Sequence, residues 1–126
     1  MEKQVFAAPD GAPAVGPYSP AVGAGGFVFV SGQIALDADG RISGYTPKEQ
    51  AQKALENLRA TLAAAGLTLA NVVKTTIFLK DMDEFGAVNE VYGQFFSEPY
   101  PARSTVQVAR LPKDLHVEIE AVAYRG

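Results

Sequence analysis

His116-Val117-Glu118-Ile119-Glu120-Ala121-Val122-Ala123-Tyr124, close to the end of the chain, alternates small or branched apolar residues with carboxylates and larger side chains. Successive side chains of a strand point to opposite faces, so Val117, Ile119, Ala121 and Ala123 share one face. Glu118, Glu120, Val122 and Tyr124 share the other. The first face suits a core beneath helices. The second mixes carboxylates with apolar bulk, and Lys74, Thr76, Phe78 and Lys80 repeat that mixture on a strand expected over Val72 to Lys80. Such a face is neither a good core nor a plain solvent surface. Left open on a monomer it would expose a sizeable apolar patch, so it is expected to meet other subunits.

Working outward from this strand, Thr46-Pro47-Lys48-Glu49 announces a helix. Thr can cap, Pro suits the first helical position, and Glu three residues after the cap completes a capping box. Ala51, Leu55, Leu58 and Leu62 follow at helical spacing, and Gly66 stands where a left-handed C-terminal cap belongs. A second helix is expected to start near Asp83, with Phe85, Val88, Tyr92 and Phe95 as its apolar stripe and Pro99 as its stop. Phe27-Val28-Phe29-Val30-Ser31 reads as a buried strand between Gly25-Gly26 and Gly32, and Asp37-Ala38-Asp39-Gly40 as a turn. Ser104 to Ala109 and His116 to Tyr124 read as the last strands, joined by a Leu111-Pro112-Lys113-Asp114 turn. The Pro- and Gly-rich opening from Ala8 to Gly26 reads as an ordered lead-in. The order is strands, helix, strand, helix, strands: an α+β domain spanning residues 1–126, with helices on one face of one sheet.

Composition narrows the chemistry. At 126 residues, 48% hydrophobic and 20% charged with a formal charge of -3, the chain has the make-up of an ordinary globular protein. Its eleven Lys and Arg are scattered and outnumbered by fourteen acids, so no nucleic-acid partner is expected. Cysteine is absent, which removes disulfides, thiolate catalysis and cysteine-ligated metals; one histidine, His116, cannot build a His-rich zinc site. No metal and no cofactor is expected. With neither a signal peptide nor a membrane-length apolar run, no membrane partner is expected and the cytoplasm is the default compartment.

Two residues stand out as chemistry. Arg103 lies in Pro101-Ala102-Arg103-Ser104-Thr105, where two prolines, Pro99 and Pro101, fix the approach to a strand. Its guanidinium matches a carboxylate with two parallel N–H donors. Taken alone the residue also fits an exposed Arg or one paired to a sheet carboxylate. Glu118, on the face expected to be an interface, is placed to hold and deprotonate a water if partly desolvated. An interface ion pair or a solvated strand position fits it equally, and Glu120 competes for the role. Gly16-Pro17-Tyr18-Ser19-Pro20 and Ser31-Gly32-Gln33 have the make-up of pocket-lining loops and, as readily, of plain turns. Asn89 fits a cap or a buried hydrogen bond, and His116 shows no partner.

These pieces, together with Ala65-Gly66-Leu67, Val73-Lys74-Thr75-Thr76-Ile77-Phe78-Leu79, Phe85-Gly86-Ala87-Val88-Asn89 with Tyr92, and Leu111-Pro112-Lys113, occur in one order. Over essentially its whole length the chain resembles the RidA or YjgF-type reactive intermediate deaminases. The resemblance implies a chorismate-mutase-like fold, a mixed sheet of about six strands carrying two helices, and a homotrimer with sheets facing inward and sites between subunits. It implies a cofactor-free hydrolysis of small 2-imino acids, such as 2-iminobutanoate or 2-iminopropanoate, to 2-keto acids and ammonia. Arg103 would grip the substrate carboxylate and Glu118, rather than Glu120, would position the attacking water. Tyr18, Ser31, Gly32, Asn89 and Thr105 would line the pocket. Thr105 stands where many members carry Cys, which puts thiol-based regulation in doubt but not hydrolysis, and Asn71 stands where Asp is frequent. The alternative from another class is a non-catalytic trimer of the same fold that carries a small carboxylate or serves as a chaperone or in translation.

Overall fold

The computed structural model describes residues 2–126. Six strands form one sheet: β1 (Gln4–Phe6), β2 (Ala21–Ala24), β3 (Phe27–Gln33), β4 (Val72–Leu79), β5 (Ala102–Gln107) and β6 (Val117–Tyr124), in spatial order β1-β2-β3-β6-β4-β5. Neighbours run antiparallel except β4 and β5, whose parallel pairing requires a crossover. Helix α2 (Phe85–Phe95) supplies it, and helix α1 (Pro47–Ala64) connects the β1–β3 side to β4.

The capping chemistry of α1 is as the sequence spells it. Glu49 N donates to Thr46 Oγ1 at 3.1 Å, and Thr46 N to Glu49 Oε1 at 3.1 Å. At the other end Gly66 takes φ +77°, where Leu67 N reaches Leu62 O and Gly66 N reaches Ala63 O, the reciprocal pair of a Schellman cap. Leu55, Leu58 and Leu62 are fully buried in one core cluster with Ile77, Val117 and Ile119. Each such burial contributes about 1.5–3 kcal/mol relative to exposure.

Alternation in β6 divides the two faces of the sheet. Val117, Ile119, Ala121 and Ala123 are buried under the helices, whereas Glu118 and Val122 are half-buried and Glu120 and Tyr124 exposed. Phe27, Phe29, Val106 and Tyr124 are exposed on that second face, with the Phe27 and Tyr124 rings 4.9 Å apart. Among the described residues no helix covers this apolar surface.

Several boundaries differ from those read in the sequence. The opening is not only a lead-in: β1 and β2 add two short strands beyond Phe27. Strand β3 continues through Gly32 to Gln33, because a bulge absorbs the glycine. Val30 pairs with Ala121 and Gln33 with Ile119, leaving Ser31 and Gly32 opposite Glu120 alone. Strand β5 begins at Ala102 and ends at Gln107 instead of spanning Ser104 to Ala109, since its parallel pairing with Lys74–Leu79 starts directly after Pro101. Helix α2 follows a 3₁₀ turn at Met82–Glu84 and stops at Phe95, where Phe96 turns extended, well before Pro99. Asn71 has a definite use: its Oδ1 accepts from Thr68 N at 3.0 Å, and its Nδ2 donates to Tyr124 O at 3.2 Å. An Asp would lack that donor.

Candidate functional site

The bulge in β3 creates one half of the site. Ser31 N donates to Pro20 O at 2.9 Å and Ser31 Oγ to Ser19 O at 2.6 Å, so the extra residue of the bulge ties the Tyr18-Ser19-Pro20 segment to the sheet. Beside it the Glu118 side chain lies over Gly32 so closely that a methyl group there would overlap the carboxyl group. Tyr18, Ser31, Gly32 and Glu118 line one cleft of about 990 Å³, roofed by residues of the lead-in. Glu118 is half-buried, and its pKa is raised above the ordinary carboxylate range, first by desolvation and then by repulsion from Glu120. Glu120 is exposed and outside this cleft.

Arg103 anchors the other half, from the edge strand β5. Its Nη1 donates to Asn89 Oδ1 at 2.7 Å, and its guanidinium carbon lies 4.8 Å from the Tyr92 ring centre and 5.4 Å from that of Phe85. Phe85, Asn89 and Tyr92 share a face of α2 by their spacing. Arg103 pairs with Thr75 and Thr105 with Ile77, both buried on the helix side, so Arg103 and Thr105 belong to that side of the sheet. A guanidinium has five N–H donors, and among the described residues only Asn89 accepts from it, through Nη1, which leaves the Nε–Nη2 edge free for a planar anion.

Within one chain these halves do not meet. Glu118 pairs with Phe78, two strands and three residues from Arg103, an offset of about 14 Å between backbones. Their side chains leave opposite faces of the sheet. The structure thus gathers Tyr18, Ser31, Gly32 and Glu118 in one place and Asn89, Arg103 and Thr105 in another.

Two further features escaped the sequence. His116 does have a partner: its Nδ1 lies 3.0 Å from Glu84 Oε1, and its backbone N donates to Gln50 Oε1 at 2.7 Å. Lys113, in the turn before β6, lines the cleft with Glu118, and it and Asp114 take positive φ values of 55° and 57°. Left-handed backbone of this kind costs about 1–2 kcal/mol per non-glycine residue. The Leu111-Pro112-Lys113-Asp114 turn signal located the segment but not this conformation.

The Gly32 contact makes a separable prediction. The three atoms nearest such a Cβ are Oε2, Cδ and Cγ of Glu118, all in one flexible side chain and none in the backbone. Gly32→Ala therefore keeps the fold, with unfolding free energy within about 1 kcal/mol of wild type, and displaces the Glu118 carboxyl group. Denaturant titration and a crystal structure of the variant check both parts; an unmoved carboxyl group would contradict the tight seating.

Comparison with known proteins gives consistent matches over this length. A family model described as Endoribonuclease L-PSP matches residues 9–125. The 2-iminobutanoate/2-iminopropanoate deaminase of Salmonella typhimurium is 47% identical over 115 residues, covering 89% of this chain and 90% of that one. Among solved structures, E. coli TdcF with bound serine superposes with a TM-score of 0.91 at 44% identity, over 98% of this chain and 99% of the other. RidA from an Antarctic Psychrobacter gives a TM-score of 0.89 at 43% identity, over 96% and 98%.

Proposed function

Because the chain belongs to the YjgF/RidA family, we propose that it hydrolyses small reactive 2-imino acids to 2-keto acids and ammonia, as a homotrimer whose sites form between subunits. One observation carries the reading. A guanidinium with a free two-donor edge and a half-buried carboxylate in a cleft lie on opposite faces of one sheet, so that a neighbouring copy is needed to bring them together. The uncovered apolar face around Phe29, Phe27 and Tyr124 gives the chain a surface to bury in such an assembly.

In this site the substrate carboxylate lies on the Nε–Nη2 edge of Arg103, which fixes C2 of the iminium. Glu118 of the adjoining subunit holds a water and takes one of its protons as the oxygen adds to C2. The resulting carbinolamine is protonated on nitrogen by the Glu118 carboxylic acid. Collapse to the C2 carbonyl then releases ammonia and the hydroxyl proton, so that one water is consumed and one keto acid formed. Tyr18, Ser31, Gly32, Asn89 and Thr105 shape the space around these groups. Phosphodiester cleavage finds less support: the chain has one histidine, and its Nδ1 is engaged with Glu84.

The test is clearance of imine generated in situ by an L-amino-acid oxidase. Wild type is expected to speed clearance, and Arg103→Ala to lower kcat/KM by about 10²-fold, chiefly through KM, for the loss of charge-assisted bonds to the carboxylate. Clearance by Arg103→Ala at the wild-type rate would overturn the anchor.

A further inference from the structure

The carboxylate anchor rests on a buried pair of hydroxyls that the reaction itself does not use. Tyr92 is almost fully buried in α2, and its Oη lies 2.8 Å from Oγ1 of Thr75, which is wholly buried in β4. One face of the region around the Tyr92 ring is taken by Phe96, with ring centres 4.5 Å apart and 29° between planes. The Arg103 guanidinium also lies against Tyr92, at 4.8 Å. Thr75 is the residue paired with Arg103 across the β4–β5 ladder. The strand that carries the guanidinium and the phenol beneath it are thus referenced to the same threonine.

For stability alone this hydroxyl pair gives little. Two buried hydroxyls that satisfy one another roughly offset their own desolvation, and apolar replacements of similar shape are close to neutral. What the pair does fix is the depth and rotation of the ring. A guanidinium stacks best on an aromatic face, and its donors then point out along the ring plane. With Asn89 Oδ1 holding one Nη1 hydrogen at 2.7 Å, the ring removes the remaining freedom of the guanidinium to tilt. Burial also raises the Tyr92 pKa, against opposing contributions from the Thr75 bond and Arg103, which keeps the phenol neutral.

We propose that Tyr92, locked by its hydrogen bond to Thr75, is a positioning residue that holds the Arg103 guanidinium with its free two-donor edge presented to the substrate carboxylate. This deepens the proposed function and rests on it. Tyr92 touches no reacting atom, so its loss weakens carboxylate binding in the ground state and the transition state alike. KM therefore rises while kcat holds.

The experiment measures binding of 2-oxobutanoate, a non-reacting 2-keto acid, by calorimetry alongside imine clearance in wild type, Tyr92→Phe, Thr75→Val, the double variant, Thr75→Ser and Tyr92→Leu. Tyr92→Phe and Thr75→Val are each expected to raise Kd and KM by about 2- to 10-fold with kcat unchanged. The double variant should be no weaker than either single one, because both remove the same bond. Thr75→Ser keeps the hydroxyl and should restore wild-type affinity. Tyr92→Leu removes the ring and should weaken binding by up to about 30-fold; should it fail to fold, Tyr92→Phe, which keeps the packing, decides. Wild-type Kd in both Tyr92→Phe and Thr75→Val would overturn the positioning role while leaving the anchor in place. Absence of 2-oxobutanoate binding by wild type would instead overturn the carboxylate anchor on which the role depends.

Discussion

Glu118→Gln is expected to lower kcat/KM for imine hydrolysis by about 10²–10⁴-fold, the usual worth of a positioned general base. Glutamine keeps the size and a hydrogen-bonding oxygen but cannot accept a proton, so a water can still be held and is no longer activated. Loss through unfolding is separable by sign. The folded-state pKa of Glu118 is raised by desolvation and by Glu120, so its ionised form is less favoured in the folded chain than in the unfolded one. Ionised Glu118 thus subtracts from stability at neutral pH, and that cost fades as pH falls through the raised pKa. Glu118→Gln removes it and should melt no lower than wild type at pH 7. The same shift sets the acid limb of kcat, which reports the enzyme with substrate bound, above the ordinary carboxylate range. Glu120→Gln, by removing the second cause, moves that limb to lower pH while leaving the plateau. An Arg103 guanidinium supplied by a neighbouring subunit would pull the other way, but the bound substrate carboxylate opposes it. Full activity of Glu118→Gln, measured on imine generated in situ, would reject the water-activating role.

Local chemistry decides which parts of this architecture are legible from sequence. Helix α1 declares itself because Thr46, Pro47, Glu49 and Gly66 each act on neighbours within a few residues, and the structure uses each of them in that way. Strand β6 is legible because its alternation is strict and one face is wholly buried. Strand β2 is Ala21-Val22-Gly23-Ala24, too short and too poor in branched residues to distinguish itself from a loop; its pairing with β3 makes it a strand. The lone Gly32 inside a strand-like run signals a bulge, and reading it as a boundary hid how Ser31 and Glu118 are brought together. Arg103 and Glu118 could be singled out by residue type. Their partners could not: Asn89 and Tyr92 reach Arg103 from α2, 14 and 11 residues earlier, and Tyr92 is itself tied to Thr75 in the neighbouring strand. That the two groups leave opposite faces of the sheet follows only from the pairing of β4 with both β5 and β6.

That opposition leads to the second large effect. Mixed equally with Arg103→Ala and reassembled from denaturant, Glu118→Gln should recover about one quarter of wild-type activity per chain, although each variant alone is nearly inactive. In the closed ring of three proposed above, contacts are head-to-tail, so every site would draw its guanidinium from one chain and its carboxylate from the next. Random assortment gives an intact Arg103 at a site half the time and an intact Glu118 from the neighbour half the time, hence about one quarter of sites complete. A site confined to one chain could not be repaired this way, since no chain in the mixture carries both groups. Native mass spectrometry of the mixture, with one variant isotope-labelled, reports the exchange of chains independently of activity. Exchanged assemblies without recovered activity would show that the two groups do not combine across chains, and would overturn the site shared between subunits. Recovery requires each residue to stand on the surface the structure gives it, Arg103 with α2 on the helix side and Glu118 with the bulge on the uncovered side.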